Sequence, residues 1–196
     1  TDVFEYYLKH ENKMYFGLKN VPAELLVYVV DSTASIDDLT WAMSRYAGNR
    51  EIGKSFFDIR YDYSAFLQGT QKQITQLGYT LPNIAKYGGV CVDQSYYASN
   101  CGKAIGVPSA MAVGNSAEAG HAWVGFLQSD GRTGAWNFNS GRYQVYQGVK
   151  GVVRDPQTNK MIPDSYVSLL GELITTKAVD RENCVAVTDA VTRLRA

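Results

Sequence analysis

Two residues stand out as suited to covalent chemistry. Cys91 lies in Tyr87-Gly88-Gly89-Val90-Cys91-Val92-Asp93, a glycine-rich turn that runs into a helical pattern. His121 lies in Gly120-His121-Ala122-Trp123-Val124, which reads as strand. The chain has 2 histidines, and the other, His10, is near the start. A thiol at a helix N-terminus and a histidine on a later strand are the minimum parts of a nucleophilic cysteine site. The turn sets Cys91 in the first helical turn, where unpaired N–H groups carry partial positive charge and favour a thiolate. A neighbouring imidazole would add to this by pairing with the thiolate as imidazolium. The same N–H groups can receive the oxyanion that forms when the sulfur attacks a carbonyl. The plain alternative is that Cys91 is a small buried hydrophobe opening a core helix, with His121 a satisfied strand residue. Cys101 and Cys184 have no comparable context and read as structural.

The elements that would position this pair follow from pattern. From Cys91, the residues Ser95, Ala98, Cys101 and Ile105 recur at helical spacing, and Gly106 and Pro108 close the run. Upstream, Thr80-Leu81-Pro82 starts a short helix that Gly88 stops. Ser35 caps another, with Asp38 standing in for the acidic partner of a capping box; Leu39, Met43 and Tyr46 follow, and Gly48 ends it. Leu25–Val30 is apolar and β-branched, so helix and strand both remain open there. Strands are predicted over Phe56–Tyr63, Ser109–Val113, His121–Leu127, Ala135–Asn139 and Tyr143–Val153. Turns are predicted at Ser129–Gly134 and Asp155–Asn159. From Asp164 the pattern turns helical, in two pieces parted near Asp180. The order gives an α+β fold rather than a parallel doubly wound sheet. The expected organisation is a domain over 1–163 with an N-terminal helical extension. Helices over 164–196 either pack on it or begin a further helical module.

Composition narrows the function class. The chain has 196 residues, with 19 Lys+Arg against 19 Asp+Glu, so no global field draws it to nucleic acid. Its 14 tyrosines suit core-edge packing or a groove that holds a polypeptide. The 3 cysteines form no disulfide framework, and no His/Cys cluster or calcium loop implies a metal or other cofactor. No apolar run approaches transmembrane length. The first residue is Thr1, and no signal-like segment follows, so the sequence reads as a piece of a longer protein whose compartment is not legible.

The motifs together resemble those of the transglutaminase-like superfamily of papain-like cysteine enzymes. Gly88-Gly89-Val90-Cys91-Val92-Asp93 resembles its nucleophile motif, and Ile105-Gly106-Val107-Pro108 the Gly-Ile-Pro signature after the nucleophile helix. Gly120-His121-Ala122-Trp123 resembles its histidine motif, and Trp136-Asn137-Phe138-Asn139 lies where a tryptophan precedes the third catalytic residue. The resemblance implies a papain-like core, a nucleophile helix packed on an antiparallel sheet. It also implies attack by Cys91 on an amide carbonyl of a peptide or protein, through a thioester that water or an amine resolves. Hydrolysis is favoured, water being the default acceptor. The family's third residue is usually Asp; that position is Ser140 here. Asn139 is the favoured substitute and Asn137 the second, since an asparagine can fix the imidazole tautomer. The Cys91 N–H is the expected oxyanion donor, joined by a side chain from among Trp41, Tyr61 and Tyr63. Asp93 matches an acidic position of the motif and also suits the helix dipole. The missing Asp favours an alternative: a catalytically silent domain of this kind that binds a peptide or protein partner.

Overall fold

The computed structural model describes residues 2–49, 51–117, 119–129 and 134–175. Short helices lead up to the thiol: α1 (Asp2–His10), α2 (Ala23–Val30), α3 (Ile36–Tyr46), α4 (Tyr63–Gln68), α5 (Gln73–Leu77) and α6 (Leu81–Tyr87). The open segment Leu25–Val30 is therefore helical, begun at Pro22 and burying Leu25, Tyr28 and Val29. Ser35 caps α3 as expected, its Oγ accepting from the Asp38 N–H at 3.1 Å. The reciprocal half of the capping box is not where Asp38 goes. Its carboxylate accepts from the Leu81 N–H at 2.9 Å, tying α3 to the start of α6.

Helix α7 (Cys91–Ala104) follows, then β1 (Ser109–Asn115), β2 (Gly120–Ser129), β3 (Gly134–Ser140), β4 (Val152–Arg154), β5 (Met161–Pro163) and α8 (Asp164–Thr175). Among the described residues the strands form one antiparallel sheet in the order β3-β2-β1-β4-β5. The architecture is α+β, as the sequence predicts. Alternation along the strands gives the sheet two buried faces. Val124 and Phe126 turn to α7 and pack with Ala98, Cys101 and Ile105. Trp123, Trp136, Phe138 and Val153 turn the other way and pack with Leu25 and Tyr28 of α2 and Val167 of α8. Gly102 sets how closely α7 approaches the sheet, since a Cβ there would run into Ser109 Oγ and the Phe126 ring.

Two predicted strands are corrected. Phe56–Tyr63 is not a strand: Ile52–Asp58 forms a 3-10 helix, and Asp62 caps α4 by accepting from the Ala65 N–H. Only Tyr61 retains strand character, bridging Gly89. Of the aromatics there Phe56 is buried in the core, whereas Phe57 and Tyr63 are exposed. Tyr143–Val153 is likewise a loop with a 3-10 turn at Gln144–Tyr146, and strand begins only at Val152. The Arg142 side chain takes the backbone carbonyls of Tyr146 and Val149, which diverts them from a ladder. Helix α8 lies against β3, where Thr175 Oγ1 accepts from the Gly134 N–H at 2.7 Å. The Asp155–Asn159 turn forms as predicted, closing a β4–β5 hairpin. The interior of the Ser129–Gly134 turn, Cys184 and the break near Asp180 lie outside the described residues.

Candidate active site

The local sequence presents Cys91 through a doubly anchored turn. Gly88 has φ +83°, open to glycine at no cost, and a Cβ there would collide with the Arg60 carbonyl. That carbonyl accepts from the Gly89 N–H at 3.1 Å, and the Gly89 carbonyl accepts from the Asp62 N–H at 2.9 Å. The segment carrying Tyr61 is thus laced to the turn just before the thiol. Asp93 fixes the other side. Its carboxylate accepts from the Val90 N–H at 2.8 Å, from Lys72 Nζ at 2.8 Å and from the Tyr79 hydroxyl at 3.0 Å. Asp93 is therefore a buried helix cap paired with the partly exposed Lys72. Replacing it with alanine leaves the Val90 N–H and Lys72 without their acceptor. The expected loss is about 2–4 kcal/mol of unfolding free energy, read by urea denaturation.

His121 sits next to the first residue of β2. Alternation places it on the Trp123 face, not on the face that packs α7. Cys91 and His121 nevertheless line one groove of about 420 Å³ at the end of the sheet, beyond the N-terminus of α7. Val113, Gly114 and Asn115 from β1, Val152 from β4 and Lys150 complete most of its wall. Cys91 is partly exposed, whereas Cys101 is sealed in the core, where burial pushes its thiol pKa up.

His121 Nε2 lies 2.7 Å from the Gly141 carbonyl oxygen. A carbonyl only accepts, so Nε2 carries the hydrogen and Nδ1 of the neutral ring is left as the base. Tyr143 and Tyr146 both stack on the imidazole, with centroids at 5.0 and 4.6 Å. Burial lowers the His121 pKa below its ordinary value, and the Gly141 hydrogen bond opposes this only in part. A neutral imidazole at neutral pH follows. The linkage has a definite sign: the unfolded chain takes up the proton more readily than the folded one. This contribution to stability is intact above about pH 6.5 and is lost as pH falls from there through the lower folded-state value. Urea titrations at pH 7.5 and 5.5 should show a larger acid-induced loss in the wild type than in His121→Gln.

The structure brings two of the three sequence-predicted residues to one groove and places the third elsewhere. Asn139 is exposed and lines a separate cleft of about 500 Å³ together with Asn137 and Ser140. Asn137 Oδ1 accepts from the Asn139 N–H at 2.9 Å. The register of β2 on β3 shifts between Val124 and Phe126, giving β3 an extra residue there. Among the oxyanion candidates, Trp41 packs on Tyr97 and Arg45, along the α3–α7 contact. Tyr61 lies beside the turn, its ring 5.0 Å from that of Tyr63. Burial, with a smaller effect from the nearby Cys91, pushes its phenol up to about 12, so it remains a hydrogen-bond donor.

No protein-family model and no curated protein matches the chain. A solved structure from Cytophaga hutchinsonii, described as a "Putative Cysteine Protease", aligns at 11% identity with a TM-score of 0.41. The alignment covers 79% of this chain and 50% of that one, so the chain spans half of that protein's length. A similarity this remote assigns neither family nor activity, and the reading rests on the site itself.

Sequence reasoning missed the loop that dresses His121. Gly141 supplies the carbonyl, and Tyr143 and Tyr146 supply the stacking rings. Arg142 ties the loop down through Asp164 at 3.2 Å, Tyr146 O at 3.0 Å and Val149 O. The available signal was Gly141 directly after a strand, at φ +81° a chain reversal rather than a continuation. Among the described residues no cluster of His, Cys, Asp and Glu gathers to hold a metal. No described helix is long and apolar enough to cross a membrane.

Proposed function

We propose that the protein is a cysteine-dependent enzyme that opens amide bonds of a peptide or protein through a thioester on Cys91, on a transglutaminase-like, papain-like core. The observation that carries this reading is the shared groove of Cys91 and His121, with the imidazole held by Gly141. In this scheme Nδ1 of His121 accepts the thiol proton as the sulfur attacks the carbonyl carbon. The oxyanion is received by the Cys91 N–H and the Tyr61 hydroxyl. Collapse expels the amine, which takes the proton back from His121 and leaves the acyl group on sulfur. Water then adds under the same base, releasing the acid and restoring the thiol; an amine acceptor in place of water would give a new amide. Hydrolysis is the favoured outcome because the groove is open to solvent. The Gly141 carbonyl takes the orienting part that the sequence offered to Asn139. Such a carbonyl fixes the tautomer as an asparagine would, without supplying charge.

Reaction of the native protein with dilute iodoacetamide, followed site by site by mass spectrometry, tests the proposal. Cys91 should label faster than a cysteine in an unstructured peptide, and Cys101 should stay unlabelled until unfolding. Labelling of Cys91 at the peptide rate would overturn the activated nucleophile. The neutral orienting group favours a second reading, a silent domain that holds a peptide in the same groove. On that reading Cys91→Ala would retain full biological activity.

A further inference from the structure

We infer that the groove takes an acyl group bearing a carboxylate, with Lys150 as its counter-ion. The inference rests on the thioester reading only for which carbonyl reacts; the carboxylate subsite is argued from the wall of the groove. Lys150 is the one permanently charged side chain among the described residues that line it. It is exposed and forms no ion pair among the described residues. The Val149 carbonyl on one side accepts from Arg142, and the Gly151 carbonyl on the other accepts from the Asp164 N–H at 2.9 Å. The backbone of Lys150 is therefore held between two anchored carbonyls, which keeps the root of its side chain on the wall of the groove.

The surroundings of the thiol are asymmetric. Tyr61 and Tyr143 lie near Cys91, and the Tyr63 ring stands 5.0 Å from that of Tyr61. The groove shared with Lys150 is lined by Val92, Val113 and Val152 and by Gly114, with Asn115 and His121 as its polar members. An apolar floor ending in one unpaired cation suits a short aliphatic chain that ends in a carboxylate. An aspartyl or glutamyl residue next to the reacting carbonyl has that shape. A substrate of opposite sign would bring a second cation against Lys150 in a partly desolvated groove, where repulsion is only weakly screened.

The competing alkylation of Cys91 by iodoacetate and iodoacetamide tests this on the intact protein. Both reagents form the same kind of thioether and expel iodide, but only iodoacetate carries a carboxylate. The ratio of the two rates at Cys91 should exceed that of a free cysteine peptide by about three- to tenfold at low salt. Lys150→Met should lower the ratio and Lys150→Glu should lower it further, and high salt should shrink the differences among the three proteins. His121 and the N-terminus of α7 are common to all three proteins, so their effects cancel in the comparison among them. An equal ratio in wild type, Lys150→Met and Lys150→Glu would overturn the inference. If both reagents react only at peptide rates while their ratio still follows residue 150, the nucleophile reading fails and the carboxylate subsite stands.

Discussion

Exchange of His121 for alanine is expected to lower thiol-dependent turnover by about 10²–10⁴-fold, the range for loss of a positioned general base. The expectation follows from the tautomer. With Nε2–H committed to the Gly141 carbonyl at 2.7 Å, Nδ1 is the nitrogen left to move the proton between sulfur and leaving amine. A peptide pool incubated with hydroxylamine provides the readout. Acyl groups that reach Cys91 are released as hydroxamates, which mass spectrometry counts. The wild type should yield hydroxamates, Cys91→Ala none, and His121→Ala a small residue. His121→Asn should be as poor as the alanine variant, because an amide can keep the Gly141 contact but cannot accept the proton. Equal yields from wild type and His121→Ala would remove His121 from the reaction.

How far the sequence showed this site depends on whether each signal was local. The nucleophile turn was legible because its parts are adjacent: Gly88 and Gly89 let the chain reverse, Cys91 falls in the first helical turn and Asp93 suits the helix dipole, while the Asp93 cap on the Val90 N–H is seen only in the structure. Helix α7 was legible from the spacing of its small and apolar residues and strands β1 to β3 from their apolar and aromatic runs, although α7 and β2 are buried on nearly every side. The stretch Phe56–Tyr63 misled because aromatic alternation imitates a pleat. Only Phe56 among those rings is buried, Phe57 and Tyr63 are exposed, and the Asp62 side chain caps α4. Tyr143–Val153 misled for the opposite reason: its conformation is set by Arg142, whose partners lie up to Asp164 and are invisible to any local window. Asn139 stands beside the motif's third position only in sequence. A register shift in β3 and the alternation of that strand put it on another cleft, and neither can be read from residue types.

That same arginine carries the largest structural prediction. Arg142→Ala is expected to cost about 3–5 kcal/mol, since it leaves the Asp164 carboxylate buried without its cation. The loss has further parts. The Tyr146 and Val149 carbonyls lose their donor, and the Trp123 ring loses the guanidinium at 4.9 Å. Arg142 touches no reacting atom, so it is a positioning residue, and stability alone would not reveal its role. The distinguishing readout is the double variant Arg142→Met with Asp164→Asn, which removes the buried charge together with the cation. Stability should recover in part, because no uncompensated charge remains. Hydroxamate yield should stay low, because the loop from Gly141 to Lys150 still lacks its clamp and the imidazole loses its fixed carbonyl and stacked rings. Full recovery of both would show that Arg142 serves only to neutralise Asp164.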